Sequence, residues 1–189
     1  RSVIYHLQGL SFREYIELET QIRLEAYTLE SILKDHVQIA SNVNAKIKPF
    51  RYFNNYLQHG YYPFYREEPD LYEQRIEEVI NMMLEVELPL LRGVDIGLVP
   101  KIKQLLTIIS ESVPFVPNIA ALSQKMNIHR TTLMSYLHYL QEVGLTIHLQ
   151  KDVHGNAKLQ KPAKIFLENT NLMSVLSPLN KNTGNVRET

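Results

Sequence analysis

The chain contains no cysteine. That excludes disulfides, thiolate zinc sites and cysteine nucleophiles together, and it fits a reducing cytoplasm. No window approaches the ~18 apolar residues of a membrane-spanning helix, and the opening "RSVIYHLQGL" lacks the plan of a signal peptide. No membrane partner is expected. Seven histidines are present, yet none shows the H-x-x-x-H or H-x-x-E-H spacing that brings two imidazoles to one metal, so no metal site is expected. There is no G-x-S-x-G nucleophile elbow. There is also no G-x-x-x-x-G-K-S/T phosphate loop, and no strand ending in paired acids to hold magnesium. The carboxylates of "EEP" and "IEEVI" lie on loops or solvated helix faces, where capping and solubility account for them. By themselves these 189 residues are not expected to be an enzyme.

What is present is an ordinary globular composition, with 44% hydrophobic and 21% charged residues, in a chain long enough for two compact units. The net charge of zero hides an asymmetry. Residues 1–100 hold 10 Lys/Arg against 15 Asp/Glu, a balance of −5, and residues 101–189 hold 10 against 5, a balance of +5. A basic half joined to an acidic half directs the search for an anionic partner to the second half. The competing explanation is chance surface composition.

Alternation from Ser2 to Leu7 predicts a strand, which Gly9 ends. Ser11, with Glu14 three residues on, forms a capping-box pattern for a helix beginning "FREY". A long helix is expected from about Thr28 to Lys46, with Leu29, Ile32, Leu33, Val37, Ile39, Ala40 and Val43 mostly on one stripe. Pro49 separates it from "FRYFNNYLQH", in which Phe50, Phe53 and Leu57 share a face and Gly60 reads as the C-terminal stop. "YYPFYREEP" is an aromatic loop, and the tyrosines around it read as packing core in preference to a partner surface. Asp70 and Glu73 form a second capping-box pattern for a helix running to about Val86, ahead of Pro89. "RGVDIGLVP" is the most linker-like passage, so a domain boundary is expected near residues 96–100, where the charge balance changes sign.

From Lys101 the pattern tightens. "KIKQLLTIISES" is an amphipathic helix, and the two prolines of "VPFVP" force an extended turn. Asn118 caps a short helix to about Met126, and a longer helix from about Arg130 to Val143 packs Leu133, Leu137 and Leu140, with Gly144 just past its end. "LTIHLQ" alternates as a strand, "DVHGN" can turn, and "AKLQKPAKIFL" returns. Three helices and a two-stranded wing make a winged helix-turn-helix, and the fold class expected for the chain is mainly α.

In such a unit the second helix of the pair enters the major groove with its N-terminal residues at the base edges. Those residues are His129, Arg130, Thr131, Thr132 and Ser135. Arg130 suits a guanine edge or a phosphate, and the threonine hydroxyls suit phosphates at a positive helix N-terminus. Lys151, Lys158, Lys161 and Lys164 of the wing supply backbone contacts. From Lys101 to Glu168 eight Lys/Arg face four Asp/Glu, a balance of +4. Winged helices also serve as protein-docking modules and rigid lids, and that alternative stays open.

The stretches "LQGLSFREYIEL", "LESILKDHVQIA", "YLQHGYYPFY" and "KIFLENTNLMSVL", running on to "GNVRET", resemble, together with the winged-helix pattern, the C-terminal portion of a family of prokaryotic AAA+-superfamily P-loop ATPases. Members carry an N-terminal ATPase domain, a helical lid, a winged helix and a C-terminal domain of unknown function that is restriction-endonuclease-like. The resemblance covers essentially the whole chain, and "LSFREY" with the Gly-aromatic-Pro element is its more specific part. It implies a lid-like helical domain at 1–96, with the last strand of the ATPase core at 2–7. A winged helix at 97–168 and a tail at 169–189 leading into the C-terminal domain would follow. ATP and magnesium are implied as cofactors of the intact protein, held by a phosphate loop upstream of Arg1, with none held by these residues alone. Arg1 would stand where relatives keep an arginine that reaches a neighbour's γ-phosphate. Gly60, Tyr62 and Pro63 would stand where related ATPases place a Gly-x-Pro element beside the adenine, although this sequence has Gly-x-x-Pro. The partners implied are the ATPase core and C-terminal domain of the same chain, DNA, and further copies in a homo-oligomer. The expected role is regulatory, a lid that senses ATP and repositions the winged helix to couple nucleotide state to DNA or partner binding. The alternative is a stand-alone winged-helix DNA-binding regulator whose bundle dimerises, or a protein-docking scaffold.

Overall fold

The computed structural model describes residues 8–112, 114–150 and 161–177. The fold is mainly helical with one two-stranded antiparallel sheet, and the chain divides into two compact units, Arg1–Pro69 and Asp70–Thr189. The strand expected at 2–7 lies outside the described residues.

The first unit opens on α1 (Phe12–Thr20), and its capping box forms as the sequence implies. The Glu14 backbone N–H donates to the Ser11 hydroxyl at 3.3 Å, and the Ser11 N–H donates to Glu14 Oε2 at 2.8 Å. These Ser11 donors hold the Glu14 carboxyl below its ordinary pKa. Helix α1 buries Tyr15 and Ile16. Helix α2 (Leu29–Lys46) is capped by the Thr28 side chain, kinks at Asp35 (φ −122°, ψ 24°) and buries no residue. Its apolar stripe forms but meets solvent, with Leu29 71%, Leu33 72% and Val37 72% exposed.

Helix α3 (Phe50–Asn55) runs directly into a π-turn, Tyr56–Gly60. Gly60 is therefore not a left-handed stop. It is the buried last residue of the π-turn, and a Cβ there would lie 2.6 Å from Tyr56 Cδ2 and 2.8 Å from Tyr15 Cδ2. Its smallness admits two tyrosine rings. Of the aromatic loop only Tyr65 is buried, while Tyr61, Tyr62 and Phe64 are half-buried; Tyr15 of α1 meets Tyr56 at 5.5 Å and Tyr65 at 5.6 Å between ring centroids.

In the second unit Asp70 falls inside a 3-10 turn, Pro69–Leu71, so helix α4 (Tyr72–Met82) starts later than the Asp70 pattern suggests and carries no side-chain cap. Nor does Pro89 end the helical path. A π-turn at Met83–Glu87 shifts the bonding so that the Leu88 N–H reaches the Met83 carbonyl, and helix α5 (Leu88–Arg92) continues through the proline. The longer loop absorbs the N–H that proline lacks. Gly93 (φ 62°) ends α5, and Asp95 caps a 3-10 turn, Ile96–Leu98, through Gly97 N–H at 2.8 Å. The linker-like passage is thus a capped corner inside the second unit, with Val94 buried.

Helix α6 (Val99–Ser110) is the centre of this unit: Ile102, Leu105, Leu106 and Ile109 are wholly buried. It packs against the π-turn 83–87, helix α8 (Arg130–Glu142), strand β2 (Lys164–Leu167) and helix α9 (Thr170–Leu176). Burying each such side chain is worth roughly 1.5–3 kcal/mol. Helix α7 (Ile119–Met126) is capped by Asn118, whose Oδ1 accepts from Ala121 N–H at 3.1 Å, and packs on α8. Helix α8 ends at Gly144 (φ 74°), with Leu145 N–H on the Leu140 carbonyl and Gly144 N–H on that of Gln141. Strand β1 (Thr146–Leu149) then pairs with β2 in the register Thr146↔Leu167 to Leu149↔Lys164. Between its prolines, Phe115 makes a reciprocal bridge to Ile165, at 2.9 and 2.8 Å. Helix α9 packs on α4, and there the buried Tyr72 hydroxyl donates to Asn171 Oδ1 at 2.5 Å.

Candidate nucleic-acid interface

Helix α8 sorts its side chains by helical spacing. Leu133, Tyr136, Leu137 and Leu140 face the core, while Arg130, Thr131, Ser135, His138, Gln141 and Glu142 stand exposed along the opposite stripe. The turn before α8 is set by Asn127 (φ 51°), and the Ile128 N–H bonds the Ser123 carbonyl at 3.0 Å. His129 is the N-cap residue, and its side chain makes no capping bond.

Two clefts meet at Arg130. One, of about 710 Å³, lies between α7 and the start of α8 and is lined by Asn118, Ser123, Gln124, Asn127, His129 and Arg130 among others. The other, of about 580 Å³, follows the exposed stripe of α8 to the hairpin, with Arg130, Thr131, Ser135, His138 and Gln141 on one side and His148, Gln150 and Pro162 on the other. His148 is half-buried, with Nε2 3.1 Å from Thr146 Oγ1. Burial, aided by the nearby His138, pushes its pKa down to about 4, so it lines the cleft as a neutral imidazole at neutral pH. At the far end of α8, Glu142 accepts from the Arg92 guanidinium and lies 3.3 Å from His138 Nε2.

The structure brings His129, Arg130, Thr131 and Ser135 together at the start of α8, all exposed. Thr132 is half-buried and lines neither cleft. Lys161 is exposed, with Nζ 3.4 Å from the Pro117 carbonyl, and Lys164 is exposed on β2. Lys151, Lys158 and Arg1 lie outside the described residues. In the first unit Gly60 is buried, Pro63 opens the 3-10 turn Pro63–Arg66, and Tyr62 stacks on Phe64 with ring planes 13° apart at 5.4 Å. Burial there lowers the pKa of His59, opposed by the Glu19 carboxylate, and raises that of Tyr65, whose hydroxyl donates to Glu19.

His138 stands on the exposed face of α8 that the sequence implies, whereas Gln141, His148 and Gln150 join the site without having been expected there. Gln141 follows His138 at helical spacing, a signal open to reading; the two on the strand side needed the packing of β1 on α8 to find them. Among the described residues no group of three or more His, Asp or Glu converges where a metal ion could sit, and no described helix is long and apolar enough to cross a membrane.

One family model spans most of the chain, taking in the end of the first unit and most of the second. Residues 50–183 match the family described as "Domain of unknown function (DUF8612)", and the chain belongs to it. No curated protein and no solved structure matches the chain.

Proposed function

We propose that this chain is the lid and winged-helix portion of an AAA+-type ATP-binding protein, and that α6–α8 with the β1–β2 hairpin form a winged helix that docks on duplex DNA. The observation that carries the DNA part is the exposed stripe of α8. Arg130, Thr131, Ser135, His138 and Gln141 stand side by side along a cleft, all of them groups that hydrogen-bond base edges or phosphates. The one acid on the stripe, Glu142, is already paired. Lys161 and Lys164, with Lys151 and Lys158 of the same hairpin sequence, supply phosphate contacts. The ATPase part rests on the sequence resemblance through "LSFREY" and "GYYPF". It makes the chain a regulatory element that relays nucleotide state, with ATP and magnesium bound by the phosphate loop of the intact protein.

Fluorescence anisotropy with a random duplex at low salt tests the DNA part. Three or four phosphate contacts imply a slope of log K against log salt of roughly −3 to −4. Replacing Lys158 and Lys161 by alanine flattens it by up to about two units on every sequence alike. Binding no tighter than about millimolar, or binding indifferent to salt, overturns the reading. A protein-docking scaffold is the second reading, and the exposed apolar stripe of α2 is the observation in its favour.

A further inference from the structure

We infer that Arg92, through its ion pair with Glu142, keeps the C-terminal end of α8 open to an anionic duplex; the inference rests on the DNA reading of α8. Glu142 is the last residue of α8, and no Lys or Arg of α8 itself lies in that last turn. The carboxylate therefore adds to the negative end of the helix dipole. His138, its other neighbour at 3.3 Å, lines the cleft, so Glu142 borders the docking stripe. The cation that answers it comes from α5, fifty residues earlier in the chain.

The lengths make this end matter. Thirteen residues of α8 extend about 20 Å at 1.5 Å each, more than the ~12 Å width of a major groove. A duplex engaged at Arg130 thus brings its phosphates within a Debye length, about 10 Å at 0.1 M salt, of the last turn of α8. Without Arg92 the stripe carries one permanent charge of each sign, Arg130 and Glu142; with Arg92 the balance is +1. The pair is half exposed on the arginine side, and such pairs add little to folding. The contribution of Arg92 is to the field of the docking face.

The test is duplex affinity by anisotropy for the whole chain carrying Arg92→Ala, Arg92→Lys, Glu142→Gln, or Arg92→Ala with Glu142→Gln. One uncompensated charge about 8 Å from a phosphate, at an effective dielectric constant of about 30–60, corresponds to a roughly three- to tenfold change. Arg92→Ala should weaken binding by that factor at ~50 mM salt and by progressively less as salt rises. Arg92→Lys should hold affinity within about twofold, and Glu142→Gln should tighten it by a factor of the same order as the loss. The double variant should return to within about twofold of the wild type, a rescue that a merely structural role for Arg92 would not give. A double variant as weak as Arg92→Ala would show Arg92 touching the nucleic acid directly and overturn the inference, as would an Arg92→Ala protein that binds like the wild type. A wild type without salt-dependent binding sinks the DNA reading and the inference together, whereas a binding wild type without rescue sinks the inference alone.

Discussion

Replacing Gly60 by alanine tests whether the tyrosine cluster of the first unit is as tightly closed as its geometry implies. The new Cβ would fall 2.6 Å from Tyr56 Cδ2 and 2.8 Å from Tyr15 Cδ2. Neither ring can swing aside freely. Tyr56 is tied at its far end by a 2.8 Å hydrogen bond to the Leu10 carbonyl and meets Phe12 at 5.2 Å; Tyr15 is wedged between Tyr56 and Tyr65. Overpacking of this kind costs about 1–3 kcal/mol. Against it stands the gain from replacing glycine in a helical conformation, about 0.5–1 kcal/mol, leaving a net loss of up to about 2.5 kcal/mol, with a midpoint a little above about 1 kcal/mol. Near-UV circular dichroism is the assay, because eight of the eleven tyrosines lie in residues 1–69 and there is no tryptophan. For a unit of this size each kcal/mol is about 4–8 °C, so the midpoint loss should lower the tyrosine transition by some ~5–10 °C. A Gly60→Ala protein melting at or above the wild-type temperature would refute the packing argument.

Tyr72→Phe should cost about 1–3 kcal/mol in urea unfolding, since it leaves the wholly buried Asn171 amide without that hydroxyl; a neutral result would mean the bond contributes nothing net. His148, held at about 4 when folded, titrates near 6.5 in an unfolded chain, so the unfolded chain gains a proton first. Stability should fall as pH drops from about 6.5 toward 4 and level off below; His148→Gln should lose that dependence, read as the urea midpoint against pH. Leu33→Ala should change stability by less than about 0.5 kcal/mol because Leu33 is exposed. Leu140→Ala, at a wholly buried site, should cost roughly 2–5 kcal/mol, and similar melting curves for the two would show α2 packed in solution.

What was legible in the sequence was mostly local. Ser11 with Glu14, Asn118 and Gly144 each announce a helix end through bonds spanning three to five residues, and each forms. The apolar period of α2 announces a helix, but a period says nothing of what covers it, and Leu33 lies bare. Asp70 and Pro89 were misread because 3-10 and π-turns change the bonding span by one residue and leave no composition signal. Of the candidate site, the Arg130 end of α8 was readable from position alone. The Arg92–Glu142 pair joins residues fifty apart and the Tyr72–Asn171 bond residues ninety-nine apart, and no local pattern carries such contacts.

The packing of α9 against α4 has a consequence for how this unit can be shuffled among proteins. Helix α6 is covered on its several sides by the π-turn 83–87, by α8 and by α9 with β2. A gene segment holding only residues 97–168 would carry α6 into a new host stripped of two of those covers, with Ile102, Leu105, Leu106 and Ile109 no longer enclosed. The smallest portable module is therefore 70–177, whose first and last helices are buttoned together at Tyr72 and Asn171. A breakpoint inside that span, even at the loop-like Gly93–Leu98, would part Tyr72 from Asn171 and so divide the two halves of the button.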